Sequence, residues 1–119
     1  MTLKIANKEI FRLHAEFCKT LANPKRLMII ALLDRGELSV GEIVEGIGVN
    51  VATISQHLKA LRMHNIVKAR KEGQKVFYSL TDPRLVEACV RIREVLLDEL
   101  KRRGVVAQEL EARNIVNPG

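Results

Sequence analysis

Apolar residues recur at helical spacing at the start of the chain. Between Asn7 and Ala22, four of them fall on one face of a predicted amphipathic helix. They are Ile10, Leu13, Phe17 and Leu21. Asn23 and Pro24 then predict the start of a second helix, because an Asn side chain accepts unpaired N–H groups and Pro has no N–H to leave unpaired there.

The second predicted helix runs from Lys25 to Arg35 and is strongly apolar, so we expect it at the centre of the fold, with Gly36 as its stop. Ser39 and Glu42 match a capping box that opens a third, short helix. Gly48 is its predicted end.

A fourth helix is predicted from Asn50, its cap, to the neighbourhood of Asn65. Its buried positions are predicted to be Val51, Ile54, Leu58 and Leu61. The third and fourth helices are short and are joined across Gly48 and Val49, which is the pattern of a helix-turn-helix.

The hydrophobic period then changes from helical to alternating. Ile66–Lys71 and Lys75–Leu80 are predicted strands of a β-hairpin that turns around Gly73. Asp82 and Pro83 start a last long helix that ends near Arg103. Its predicted apolar stripe comprises Leu85, Cys89, Ile92, Leu96 and Leu100.

These elements predict a fold that is mainly α with a small β-hairpin, in the order α-α-α-α-β-β-α. The chain has 119 residues, which suits one domain. We place that domain at residues 1–104 and expect residues 105–119, which are weakly patterned, to form a frayed C-terminal tail.

The excess positive charge is concentrated in one short stretch. Residues 59–75 contain six Lys or Arg side chains and a single acidic one, Glu72, and therefore hold +5 of the net charge of +6. A local basic patch suits an anionic polymer such as nucleic acid, although a charge run is more often simply a solvated surface.

Other functional classes find little support. There is no Gly-rich phosphate loop, nucleophile elbow or HExxH motif, and His14, His57 and His64 lack metal-ligand spacing, so neither an enzyme nor a cofactor is expected. No apolar run is long enough for a membrane span and no signal peptide is evident. With only two cysteines, Cys18 and Cys89, we expect a reducing, cytoplasmic setting.

The fourth helix is the candidate for reading DNA bases, because its free face carries short polar side chains near a helix N-terminus. The basic hairpin beside it supplies candidate phosphate contacts. The predicted DNA-binding residues are Asn50, Ala52, Thr53, Ser55, Gln56, His57 and Lys59 on the helix, and Arg70, Lys71, Gln74 and Lys75 on the hairpin.

Four stretches in this order resemble the ArsR/SmtB family of winged helix-turn-helix repressors. They are Leu21–Leu27, Glu37–Ile43, Thr53–Leu61 and Arg70–Tyr78. The resemblance implies a homodimer formed through the first and last helices, and binding to double-stranded operator DNA. The recognition helix would then span about residues 50–64 and the wing about residues 66–80. It also implies release from DNA by a metal, metalloid or redox inducer.

The chain lacks several residues that bind metals in members of this family. Family metalloregulators often carry thiols within an ELCxC motif, where this chain has Glu37–Gly41 without cysteine. At the zinc-type site of the last helix, Asp82 matches, but Arg84 stands where His is expected and no His follows His64. A closed zinc site needs about four ligands. We therefore predict no metal site of either type.

Cys18 and Cys89 leave two interpretations open. Free cysteines are usually buried, small apolar residues, and Cys89 lies on the apolar stripe of the last helix. The family, however, forms its dimer through the two helices that carry these thiols. They are therefore candidate sensors of reactive sulfur, an oxidant or a metalloid. A further alternative for the whole chain is a winged-helix protein-interaction module without inducer sensing, which the local basic patch argues against.

Overall fold

The computed structural model describes residues 2–105 and 110–117. Over these residues the elements follow the order α-α-β-α-α-β-β-α, which is that of a winged helix-turn-helix. The helices are α1 (Lys8–Leu21), α2 (Pro24–Leu33), α3 (Val40–Ile47), α4 (Val51–Met63) and α5 (Arg84–Arg102). The strands are β1 (Leu38–Ser39), β2 (Val67–Glu72) and β3 (Lys75–Leu80). The helix-turn-helix prediction and both strands of the hairpin are confirmed, with shifts of one or two residues at several ends.

Local capping explains where the helices begin. The Oδ1 atom of Asn23 accepts from the backbone N–H groups of Lys25 at 2.9 Å and Arg26 at 3.2 Å. Ser39 Oγ accepts from the Glu42 N–H at 3.2 Å, and the Glu42 carboxylate accepts from the Ser39 N–H at 3.0 Å, which completes the predicted capping box. These side chains pair N–H groups that no helical carbonyl can reach.

A left-handed residue ends each helix of the helix-turn-helix. Gly48 has a φ of 83° after α3, and Asn65 has a φ of 57° after α4. Glycine adopts this conformation without the clash of a Cβ atom, and Asn tolerates it better than most residues. Both helices therefore stop where the sequence predicts.

The sheet has one strand more than the predicted hairpin. Its order is β1-β3-β2, and all pairings are antiparallel. Leu38 pairs with Tyr78 and Ser39 with Phe77. A two-residue strand is too short to show an alternating pattern, and its partner lies far away in the chain. It anchors β3, and with it the wing, to the start of α3.

The core lies between α2, α3, α4 and the sheet. The fully buried side chains are Ile29, Ile30, Ile43, Ile54, Leu58, Leu61 and Val67. Burying one such side chain stabilises the fold by about 1.5–3 kcal/mol, so this cluster fixes the orientation of α4. The expectation that the second helix is central is confirmed. Val51, by contrast, is exposed and not buried as predicted, because it lies in the first turn of α4, on the solvent side.

Helices α1 and α5 leave large apolar side chains in solvent. On α1 these are Ile10, Phe11, Leu13 and Phe17, and on α5 they are Ile92, Val95 and Leu96. The predicted stripe of α5 is therefore divided: Cys89 packs inward, while Ile92 is 66% exposed. The inward side of the helix consists of Val86, Cys89 and Val90.

The C-terminal tail differs from the frayed segment that we predicted from residue 105 onward. In its described part, 110–117, Ala112 is buried and its carbonyl accepts from Arg93 Nε of α5 at 2.9 Å. The Val116 carbonyl accepts from Arg35 Nη2 at 2.7 Å. These contacts hold the segment against α5 and the end of α2. The rest of the predicted tail, 106–109 and 118–119, lies outside the described residues.

Candidate nucleic-acid interface

Helix α4 presents one face to the core and another to solvent. Ile54, Leu58 and Leu61 recur at helical spacing and are almost completely buried. The opposite face is polar over the first two turns of the helix. Five of the predicted DNA-binding residues are exposed on or just before this helix: Asn50, Ala52, Ser55, Gln56 and Lys59. The apolar inner face thus holds a set of short donors and acceptors outward.

The start of α4 is fixed by Asn50. Its Oδ1 atom accepts from the Thr53 N–H at 2.8 Å, so this oxygen serves as the helix cap. The amide nitrogen of Asn50 remains as a donor at the helix N-terminus. Thr53 is half-buried beside it. A helix N-terminus with fixed, short polar side chains is suited to phosphate or base-edge contacts.

His57 is held by a hydrogen bond within the protein, unlike the exposed side chains of α4. It is half-buried, and its Nδ1 atom accepts from Arg26 Nε of α2 at 3.0 Å. Burial lowers the pKa of this imidazole, and the neighbouring charges of Arg26 and Lys25 lower it further. Since Nδ1 accepts a hydrogen bond, the neutral form of the ring carries its proton on Nε2. The predicted set did not contain Arg26, which lies 31 residues from His57 in the chain.

The wing is the β2–β3 hairpin, whose tip at Gly73 has a φ of 61°. Lys71, Gln74 and Lys75 are exposed around this tip. Among the described residues, neither lysine forms an ion pair. Their ammonium groups are therefore available to an anion from outside the molecule.

Arg70, also predicted to bind DNA, differs from Lys71 and Lys75 because it forms ion pairs within the protein. Its Nη2 atom lies 2.7 Å from Glu37 Oε1 and its Nη1 atom lies 2.6 Å from Glu72 Oε2. The guanidinium also lies over the Phe77 ring, 5.0 Å from its centroid. The pair with Glu37 raises the pKa of Arg70 and lowers that of Glu37. With its charge matched by two carboxylates, Arg70 links the middle of β2 to Glu37, just before β1, and to Glu72 near the tip of the wing.

The sequence of this core region matches a known family model. Residues 23–69, from the cap of α2 into β2, match the model described as bacterial regulatory protein, arsR family. The chain is 36% identical over 107 residues to the HTH-type transcriptional regulator Rv0081 of Mycobacterium tuberculosis. That match covers 89% of this chain and 94% of the relative. The chain belongs to the ArsR family.

Solved structures of transcriptional regulators share the fold. The crystal structure of Rv0081 superposes with a TM-score of 0.71 at 38% identity and covers 79% of this chain and 95% of that one. A homodimeric winged helix-turn-helix DNA-binding domain from Mycobacterium bovis gives 0.69 at 30% identity, covering 86% and 95%. The transcriptional repressor BigR from Xylella fastidiosa gives 0.65 at 39% identity, covering 71% and 87%. As a member of this family, the chain is a transcriptional regulator and not an enzyme.

The two thiols of this ArsR-family chain line one pocket. Its volume is about 270 Å³ and its wall is almost wholly apolar. The lining residues are Cys18, Leu21, Ala22, Leu27, Cys89, Ile92 and Arg93. Cys18 is exposed and Cys89 is 6% exposed. Burial raises the pKa of Cys89 and the nearby Cys18 adds to this, while Arg93 opposes it.

Over residues 2–105 and 110–117, no group of three or more His, Cys, Asp or Glu side chains is arranged to hold a metal ion. Within the same ranges, no helix has the length and apolar character that crossing a membrane requires.

Proposed function

We propose that this chain is a homodimeric, sequence-specific DNA-binding repressor. Helix α4 reads base edges in the major groove, and the wing contacts the flanking phosphates. The observation that carries this proposal is the division of α4 into a buried apolar face and an exposed polar face. Beside it lie two exposed wing lysines, Lys71 and Lys75, that form no ion pair with any residue the structure describes.

Base recognition is assigned to the exposed residues in the first turns of α4. Gln56 offers an amide that can pair bidentately with adenine, and Lys59 can donate to guanine. Ser55 donates or accepts, and Ala52 offers a methyl contact to thymine. Recognition helices of this kind place their N-terminal residues against the bases. Ala52, Ser55 and Gln56 lie in the first two turns of α4, and Lys59 follows one turn after Ser55.

Phosphate binding is assigned to Lys71 and Lys75, with Gln74 as a neutral donor between them. These side chains are exposed at the hairpin tip, and Arg70 of the same hairpin is paired with Glu37 and Glu72. Phosphate contacts of this kind position a recognition helix without reading sequence themselves.

Dimerisation is assigned to the exposed apolar faces of α1 and α5. Phe11 is 56% exposed and Val95 is 71% exposed, which is unusual for large apolar side chains clustered on two helices. A second copy of the chain would cover both faces at once. The related domain from Mycobacterium bovis is described as homodimeric, which supports this assignment.

The direct test is a gel shift on DNA upstream of the gene for this protein, at two salt concentrations, with random DNA as competitor. We expect a shifted complex that resists random competitor and weakens as salt rises. A protein-interaction module would give no complex at either salt concentration.

Thiol sensing through Cys18 and Cys89 is a second proposal, supported by their shared pocket. Peroxide would oxidise the two thiols to a disulfide and itself be reduced to two waters. Arsenite would condense with both thiols and release two waters. The test is operator affinity before and after peroxide, polysulfide or arsenite, in wild type and in Cys18→Ser. Loss of affinity in wild type alone supports sensing, and no change with any reagent leaves the cysteines as packing residues.

A further inference from the structure

Arg26 joins three helices at one point. It lies in the first turn of α2, and its Nε atom donates to His57 Nδ1 on α4 at 3.0 Å. Its Nη1 atom donates to the Thr20 carbonyl of α1 at 3.0 Å. The two bonds leave from different nitrogens of one planar group, so they fix α1 and α4 relative to each other through a rigid fork.

The hydrogen bond to α1 pairs a carbonyl at the C-terminal end of that helix. Thr20 lies in the last turn of α1 and is 7% exposed, and carbonyls in a last turn have no partner within the helix. A buried carbonyl left unpaired costs free energy, and the negative end of the helix dipole favours a cation. Arg26 both donates to this carbonyl and places a positive charge at the C-terminus of α1, so its hydrogen bond to α1 is stabilised in two ways.

The bond to α4 reaches the middle of the recognition helix. His57 follows Gln56 directly and lies one helical turn after Thr53. Because the imidazole accepts through Nδ1, rotation of α4 about its axis would break this bond. The orientation of the exposed face of α4 is therefore tied to α1, the helix assigned to the dimer.

We infer that Arg26 is a positioning residue for DNA reading: it sets the orientation of α4 relative to the dimerisation helix through His57 and Thr20. This inference rests on the proposed DNA-binding function. Lysine cannot replace Arg26, because a single ammonium group at the end of a flexible stem does not reproduce the two-sided fork. Asn can replace His57, since its Oδ1 is attached to Cγ as Nδ1 is in histidine.

The test compares Arg26→Lys, His57→Leu, their double variant and His57→Asn, with Lys25→Gln as the matched control for a lost neighbouring charge. The first readout is the ratio of affinities for random DNA and for the sequence that wild type selects from random DNA. We define the preference as the affinity for the selected sequence divided by the affinity for random DNA. Arg26→Lys and His57→Leu should each lower this preference about tenfold, a size typical of coupled neighbours. The double variant should lose no more than either single variant, and His57→Asn should retain the preference.

The second readout is the ¹⁵N spectrum of the His57 imidazole, which shows which ring nitrogen carries the proton. At neutral pH we expect an unprotonated Nδ1 in wild type and Lys25→Gln, and a mixture of tautomers in Arg26→Lys. Circular dichroism melting confirms that each variant is folded. Additive losses in the double variant, or an unchanged preference in Arg26→Lys, would overturn the inference. A wild type with no sequence preference would overturn the DNA-binding function and the inference together.

Discussion

Replacing Lys75 by Ala is expected to reduce the salt dependence of DNA binding. Lys75 is exposed at the wing tip and lies opposite Glu72 in the hairpin register, but Glu72 is already engaged by Arg70. Its ammonium group is thus available to a phosphate. Each phosphate that a lysine neutralises contributes about 0.9 to the slope of log affinity against log salt.

The size of the change in the salt slope depends on how many Lys75 side chains a dimer contains. Two wings contribute two Lys75 side chains, so Lys75→Ala should lower the slope by about 1.8. Between 50 and 200 mM salt, a fourfold range, wild type should then lose about twelvefold more affinity than the variant. Specific and random DNA should be affected alike, because a phosphate contact carries no sequence information.

Fluorescence anisotropy of a labelled duplex, titrated at several KCl concentrations, measures this slope directly. Arg70→Gln is the matched control: it removes a wing charge that is already paired with Glu37 and Glu72. We expect its slope to change by less than half as much. An unchanged slope in Lys75→Ala, or an equal change in both variants, would refute the division of the wing into free and paired charges.

Four further outcomes are expected. Gln56→Ala should lose ~1–3 kcal/mol of discrimination between selected and random DNA, measured by competition, whereas an equal loss on both would make Gln56 a phosphate contact. Asn23→Ala should cost ~0.5–2 kcal/mol in urea unfolding, because the cap of α2 is lost. Leu96→Glu places a charge on the proposed dimer face, so sedimentation equilibrium should give the monomer mass of 13.4 kDa, and a stable dimer would contradict that interface. The pKa of His57 is lowered in the folded protein, so the unfolded chain binds the proton more readily. The free energy of unfolding in urea should therefore fall as the pH drops below 6.5, the ordinary pKa of histidine. His57→Asn should lack this part of the pH dependence.

Much of the fold could be predicted because its signals are local. The Asn23 cap, the Ser39–Glu42 capping box and the left-handed Gly48 each involve residues within a few positions of one another. Backbone preference and short-range hydrogen bonds decide such features, so residue types at fixed offsets suffice to locate them.

The side-chain contacts that sequence reasoning missed are long-range. Arg26 meets His57 across 31 residues, and Arg70 meets Glu37 across 33. The tail returns further still, since Arg35 and Val116 are 81 residues apart. Such partners are chosen by packing once α2, α4 and the sheet have assembled, and no local pattern encodes them. The internal contacts of His57 and Arg70 are of this kind, and that both side chains also contact DNA stays a prediction.

Selection of bound duplexes from a pool of random DNA, followed by sequencing, tests the central claim most directly. It requires no knowledge of the natural operator. A homodimer that reads bases through α4 should enrich an inverted repeat whose half-sites are centred about one helical turn, or a multiple of it, apart. Gln56→Ala should relax the preference at the base pairs that this side chain reads. A pool that stays random after repeated rounds with wild-type protein would contradict sequence-specific binding, and a single half-site without a repeat would contradict the dimer.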